Sequence, residues 1–401
     1  MKKVELLAPA GNLEKAKVAL MYGADAVYVG GKKFSLRARA SNFNIEDIKE
    51  LCSFARDLDK KVYVTMNIIP HDEDLDGLDE YLKDLEAAGV SAIITSSLYI
   101  MNRAKEIAPK IERHVSTQTS ITNSRTIKFY ENIGCSRVVL AREVTLEEME
   151  LIKANSNLEL EVFIHGGMCS SYSGRCVLSN HMTKRDANRG GCAHSCRWNY
   201  VLYKGNKRMP PKKLYFNMGS KDLMAIREIP KMLNMGIASL KIEGRMKSTY
   251  YLATVVRCYR NLIDKYYECK NLMNEDFVMF QEEINKAENR LTSTGFLKGM
   301  VTISEQLYDT REEHPTKEYI GYVLDYNKEE NVALIEQRNY FEVGDKVEFF
   351  GPDLKNIQTI ILNMKDAETN EDLLVARHPL QKLLIKTNVE LKPHDMMRKV
   401  K

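Results

Sequence analysis

Four times along this chain a helical stretch ends at glycine and a short β-rich run follows at once: GADAVYVG at 23–30, GVSAIITS at 89–96, GCSRVVLA at 134–141 and GIASLKIEG at 236–244. Glycine ends helices because it takes left-handed backbone without penalty, and β-branched residues then favour extended chain. Four more runs of this texture are VELLAP at 4–9, KVYVTMN at 61–67, ERHVSTQ at 112–118 and LELEVFIHG at 158–166. Segments such as NLEKAKVALMY, IEDIKELCSFARDLD, DLDGLDEYLKDLEAA and TLEEMELIKA separate several of the eight and carry helical spacing of apolar residues. Alternation of this kind calls for a parallel sheet covered by helices. Eight units in about 250 residues predict an α/β fold of the (β/α)8 TIM-like barrel type. The alternative, an open doubly wound sheet, normally carries a GxGxxG nucleotide fingerprint. This chain has none, and the GG at 30–31 does not replace it.

The pattern also divides the chain. Residues 1–250 read as the barrel domain, with a cysteine-rich insertion at 167–218 after the seventh strand. That insertion ends in a predicted hairpin, NYVLYKGNKRMPPKKLYFNM at 199–218, followed by a predicted helix through SKDLMAIREIPKML. Residues 251–315 hold two bracing helices, YLATVVRCYRNLIDKYYE and FVMFQEEINKAENRL, and a linker. From 316 to 401, short alternating runs between charged turns predict a small C-terminal antiparallel β-barrel. Barrel enzymes place chemistry on the loops after the strands, so the insertion belongs at the chemical end.

The insertion holds Cys169, Cys176, Cys192 and Cys196, spaced C-x6-C-x15-C-x3-C. The first residues lack the apolar stretch of a signal peptide, and no run approaches 18 uncharged apolar residues. The expectation is a cytoplasmic protein without a membrane span. Thiols stay reduced there, so clustered cysteines point to metal or redox chemistry. The spacing is neither a paired C-x2-C zinc knuckle nor a redox C-x-x-C. Four thiolates satisfy either tetrahedral zinc or a [4Fe–4S] cluster, and spacing alone does not choose between them. Unconnected free thiols are the plain alternative. Cys52, Cys135, Cys258 and Cys269 sit in helical or strand patterns and read as small core residues.

Net charge is a modest +4, but its distribution is uneven. Lys184, Arg185, Arg189, Arg197, Lys204, Lys207, Arg208, Lys212 and Lys213 stand against the single acid Asp186 between 184 and 213. Such a patch attracts phosphate, and the interleaved Trp198, Tyr200 and Tyr203 offer faces for unpaired bases. A solvated basic loop whose aromatics pack the hairpin is the competing reading. At the strand ends, Asn67, Gln118, Arg142, Glu143, Glu243 and Arg245 break the apolar pattern and read as mouth residues. Arg37 and Arg39, in FSLRARASNF, follow the second strand. His165 is placed to move a proton or to fill a polar niche. Glu161 and Glu243 are candidate buried partners of the arginines.

The segment EVFIHGGMCSSYSGRCVLS at 161–179 resembles the signature of peptidase family U32. The likeness extends to NRGGCAHSCRWNY, ELLAPAGNLEKAKVALMYGADAVYVGG, FSLRARASNF, HVSTQTSITN, RVVLAREVTLEE and IEGRMKSTYY, and to the C-terminal barrel. Length and motifs are most similar to the branch concerned with 5-hydroxyuridine at position 34 of tRNA. That resemblance implies a [4Fe–4S] cluster on Cys169, Cys176, Cys192 and Cys196, tRNA as partner and prephenate as co-substrate. An arginine fork suits such a dicarboxylate. An electron donor or acceptor, or a homologous partner subunit, is a further implied partner. The family also contains collagenase-like proteases, yet the sequence shows neither G-x-S-x-G nor H-E-x-x-H. C-x3-C-x2-C, the mark of adenosylmethionine radical chemistry, is absent too. A zinc-stabilised RNA-binding protein is the non-enzymatic alternative.

Overall fold

The computed structural model describes residues 3–36, 42–209, 215–287, 290–307, 317–352 and 355–400. Seven parallel strands follow in order: β1 (Glu5–Pro9), β2 (Ala26–Gly30), β3 (Lys61–Met66), β4 (Ala92–Thr95), β5 (Glu112–Val115), β6 (Arg137–Val139) and β7 (Glu159–Gly166). After the insertion, which carries the hairpin β8 (Leu202–Lys204) and β9 (Lys207–Met209), come β10 (Asp222–Met224) and β11 (Ser239–Ile242). β11 pairs in parallel with both β7 and β1 and closes the barrel as its eighth strand. All eight predicted strands are present.

Local chemistry sets the covering helices. In α2 (Ile45–Asp57), Asn44 and Asp47 form a reciprocal capping box, and Ile48, Leu51, Cys52 and Ala55 make the buried stripe. Each large aliphatic group so buried contributes about 1.5–3 kcal/mol. Helix α9 (Thr249–Cys269) packs on the barrel through Tyr251, Tyr259 and Leu262, all fully buried.

One prediction changes. The segment SKDLMAIREIPKML does not begin as helix: β10 pairs antiparallel with the end of β7, Leu223 facing Gly166 and Met224 facing His165. All three β10 residues are buried. Helix proper starts only at Ile229, with Pro230 in its first turn, where a missing N–H costs nothing.

Close backbone approaches shape the mouth. A Cβ on Gly11 would lie 2.3 Å from the Arg245 carbonyl oxygen, and one on Gly166 2.3 Å from that of Glu243. Gly166 also has φ of 103°, in the left-handed region. These two glycines let the loop after β11 settle between its neighbours.

The C-terminal part is an eight-stranded antiparallel half-barrel with a core that includes Ile320, Ile335, Phe349 and Ile385. It docks on α9 and its surroundings. Tyr319 stacks on Tyr250 at 5.0 Å, and the fully buried Arg398 donates to Glu283 at 2.8 Å and to Glu348 at 2.7 Å. Among the described residues no helix is long and apolar enough to cross a membrane.

Candidate active site

Barrel interiors are ordinarily apolar layers, but this one is charged along its axis. Arg137 donates to Glu5 at 2.5 Å and Glu159 at 2.7 Å and lies 3.3 Å from Glu161. Above it, Lys241 donates to Glu161 at 2.7 Å and lies over the Tyr28 ring, 4.4 Å from its centre. Burial pushes the Glu161 carboxyl up, but Lys241 and Arg137 prevail and hold it below its ordinary value.

The mouth is made by residues that follow the strands. Arg142 lies over Phe163 at 3.8 Å, donates to the Gly167 carbonyl and sits 3.7 Å from Glu243. Glu243 accepts from the Tyr28 hydroxyl at 3.1 Å. Arg245 donates to Ser35 at 2.8 Å and Asn42 at 2.7 Å. The Asn67 side-chain oxygen accepts from Leu36 N–H at 3.2 Å. Gln118 is buried, and its Oε1 has no hydrogen-bond partner among the described residues.

The insertion roofs this mouth, and all four of its cysteines line the same cavity. Two of the sulfurs accept backbone bonds, Cys169 from Ser171 N–H at 3.4 Å and Cys176 from Leu178 N–H at 3.3 Å. Such bonds favour thiolate and tune bound clusters. The loop is fastened near every cysteine. Glu143 accepts from both Ser173 N–H and Ser173 Oγ at 2.7 Å, and Arg175 donates to the Gln118 carbonyl. Asn188 donates to the Cys176 carbonyl at 3.0 Å. Ala193 N–H donates to Ser179 Oγ at 3.0 Å, and Met218 N–H to the Cys196 carbonyl at 2.7 Å.

Cys169 is open to the cavity mouth, yet burial among the walls pushes its thiol up. Ser171 N–H and Arg142 oppose that shift, while Cys196 and Cys176 add to it. Among the described residues no three His, Cys, Asp or Glu side chains converge as ligands of a single metal ion. The thiols surround a cavity. Beyond Cys169 an open groove of about 780 Å³, walled in part by Phe216, Met218 and Phe296, leads outward.

Of the predicted site residues, Asn67, Gln118, Arg142, Glu243, Arg245 and the four cysteines share one cavity. His165 does not join them. The register of β7 against β11 shifts between the pairs Phe163–Lys241 and His165–Ile242, and this bulge turns the imidazole against Tyr251 and Tyr259 of α9. Arg37, Arg39, Lys212 and Lys213 lie outside the described residues. Arg189 is ion-paired with Glu73 at 2.5 Å and Asp74 at 2.8 Å. Arg197 turns inward to the Met168 carbonyl at 3.4 Å, where burial and then Arg290 lower its pKa. Lys184, Lys204 and Lys207 are exposed and Arg185 half-buried. The hairpin β8–β9 projects, with Leu202 and Tyr203 43% and 64% exposed. Sequence reasoning misses Tyr28, Phe163 and Lys241. The signal for Lys241 was its charge inside the apolar run SLKI.

A closed barrel whose mouth joins polar strand-end residues to a thiol-bearing roof defines a barrel enzyme. The chain belongs to peptidase family U32: that family's profile matches residues 11–306, and the profile of its C-terminal domain matches residues 315–398. It is 47% identical to tRNA hydroxylation protein P1 of Bacillus subtilis, over 100% of this chain and 96% of that protein. It is 37% identical to the 23S rRNA 5-hydroxycytidine C2501 synthase of Escherichia coli, over 65% of this chain and 39% of that one. The collagenase of Porphyromonas gingivalis is 32% identical, over 87% of this chain and 86% of its own.

Proposed function

We propose that this protein hydroxylates carbon 5 of uridine 34 in tRNA, in the cytoplasm, with a [4Fe–4S] cluster on Cys169, Cys176, Cys192 and Cys196 and prephenate as a dicarboxylate co-substrate. The observation that carries this reading is the meeting of four thiols and the polar barrel mouth in one cavity. Two relatives named for pyrimidine hydroxylation in RNA support the reaction class. A bound cluster supplies electron transfer, which suits a net oxidation of the pyrimidine. Replacing C5–H by C5–OH with water as the oxygen source releases two electrons and two protons, so the partner is then an electron acceptor. With dioxygen as the source it is a two-electron donor, and a homologous subunit is a further candidate partner.

The chain's own residues bind and orient. Arg142 stands at the cavity with its guanidinium carbon 3.8 Å from the centre of the Phe163 ring, which holds it in place to bind a planar polar group. Tyr28 and Glu243, joined at 3.1 Å, offer a hydroxyl and a carboxylate beside it. The projecting hairpin brings Lys204, Lys207 and Tyr203 to the RNA backbone and its unpaired bases. Zinc requires thiolates about 2.3 Å from one ion, so thiols spread around a cavity suit a larger group better. Proteolysis by a triad needs nucleophile, base and orienter. No histidine is among the described residues that line the thiol cavity, and the hydroxyl–carboxylate pair there, Ser173 with Glu143, is a loop brace in which Glu143 also accepts from Ser173 N–H.

The test is mass spectrometry of tRNA nucleosides from cells that lack this gene and every related one. Loss of 5-hydroxyuridine derivatives, restored by wild-type protein and not by Cys192→Ala, is the expected result. Unchanged nucleosides in the deletion strain would remove the assignment.

A further inference from the structure

We infer that Gln118 and Arg142 together read the polar edge of the target base; the inference rests on the uridine-hydroxylation reading. Gln118 lies in the short turn Thr117–Thr119 just beyond β5, and Arg142 lies just beyond β6. β5 and β6 are paired neighbours, so the two side chains enter the same wall of the cavity.

Each brings one unmatched polar atom. Gln118 is 4% exposed, and its Oε1 accepts no hydrogen bond. The Arg142 Nε is likewise buried without a partner among the described residues, while its terminal nitrogens face the Gly167 carbonyl and Glu243. Buried polar atoms are costly when unpaired, so such atoms on residues that line a cavity point to a ligand that pairs them. Neither residue is loosely held. Gln118 N–H donates to Ser116 Oγ at 3.4 Å, and its carbonyl accepts from Arg175, the residue just before Cys176. Arg142 is fixed over Phe163.

The Gln118 amide offers the unmatched acceptor Oε1 together with its Nε2 donors, and Arg142 Nε is an obligate donor, since a guanidinium never accepts. A carboxylate or phosphate offers only acceptors, so it can take up Nε2 and Arg142 but leaves Gln118 Oε1 unmatched. A uracil edge offers both, its N3–H to Gln118 and a flanking carbonyl oxygen to Arg142 Nε. The Gln118–Arg175 bond also ties the base-reading residue to the cysteine loop, so the base and the thiols are positioned together.

The experiment measures binding of anticodon stem-loop RNA to protein purified without oxygen, with uridine or 3-methyluridine at the target position. For wild type, the methyl group that removes N3–H should weaken binding about tenfold. Gln118→Ala should lose about tenfold on the uridine RNA and bind the 3-methyluridine RNA about as wild type does, because both changes delete one bond. Gln118→Glu keeps an acceptor in the same shape and should bind the uridine RNA far better than Gln118→Ala does. Iron content and melting temperature like those of wild type certify each variant. Equal wild-type affinity for the two RNAs, or losses that simply add, overturns the pair even where the nucleoside assay upholds the reaction. Failure of wild-type protein in the nucleoside assay removes the reaction and the pair with it.

Discussion

Along the barrel axis, Arg137 is met by Glu159 and Glu161 of the next strand and by Glu5, 132 residues earlier, and Lys241 is met by Glu161, 80 residues earlier. In the insertion, the four thiols stand on short turns held by a few hydrogen bonds: Ser171 N–H to Cys169, Leu178 N–H and Asn188 to Cys176, Ala193 N–H beside Cys192 to Ser179, and Met218 N–H to Cys196. The axis completes its own polarity. The insertion has little apolar core, since of its described residues few beyond Ala187 are buried hydrophobics. The contrast assigns stability to the first region and ligand-dependent order to the second.

The largest effect should follow from breaking the axis. Arg137→Met leaves several carboxylates without their cation and should cost about 3–5 kcal/mol in urea unfolding. Cys176→Ala, compared in protein freed of metal, should leave the unfolding midpoint of the barrel nearly unchanged. Equal losses from the two would erase the distinction between the regions.

A second axis of charge holds the C-terminal half-barrel. Burial would raise the Glu283 carboxyl, but Arg398 and Lys286 hold it down at about 2. An unfolded glutamate titrates near about 4.3. Because the folded value is the lower one, this stabilisation is complete above that pH and is lost as pH falls toward 2. Calorimetry should find Arg398→Met several degrees less stable than wild type at pH 7, with the gap narrowing below pH of about 4.5. A gap that widens in acid would contradict the ion-pair account.

The smallest effect belongs to the exposed hairpin. Reversing Lys204 and Lys207 should weaken tRNA binding several-fold and reduce the slope of log affinity against log salt by roughly 2. An unchanged slope would place the RNA elsewhere.

What the sequence made legible follows the range of the interactions. Helix-ending glycines and β-branched runs are local, so all eight strands could be read, and Gln118, Arg142, Glu243 and Arg245 stood out as polar residues at strand ends. The antiparallel β10 could not be read, because its pairing depends on the edge left at the end of β7. His165 follows the inward alternation of Glu161 and Phe163 on paper, and only the register shift opposite Lys241 and Ile242 turns it away. Lys241 gains its place from Glu161, 80 residues earlier, a partnership that spacing does not reveal. In the basic segment, composition did not separate exposed Lys204 and Lys207 from Arg189, whose partners Glu73 and Asp74 lie more than 100 residues upstream.

The most direct test of the central claim is iron and acid-labile sulfide analysis of full-length protein purified without oxygen, beside Cys176→Ala. About four irons and four sulfides per chain are expected for wild type, with a large loss in the variant at unchanged barrel stability. Stoichiometric zinc with neither iron nor sulfide in the wild-type protein would contradict it.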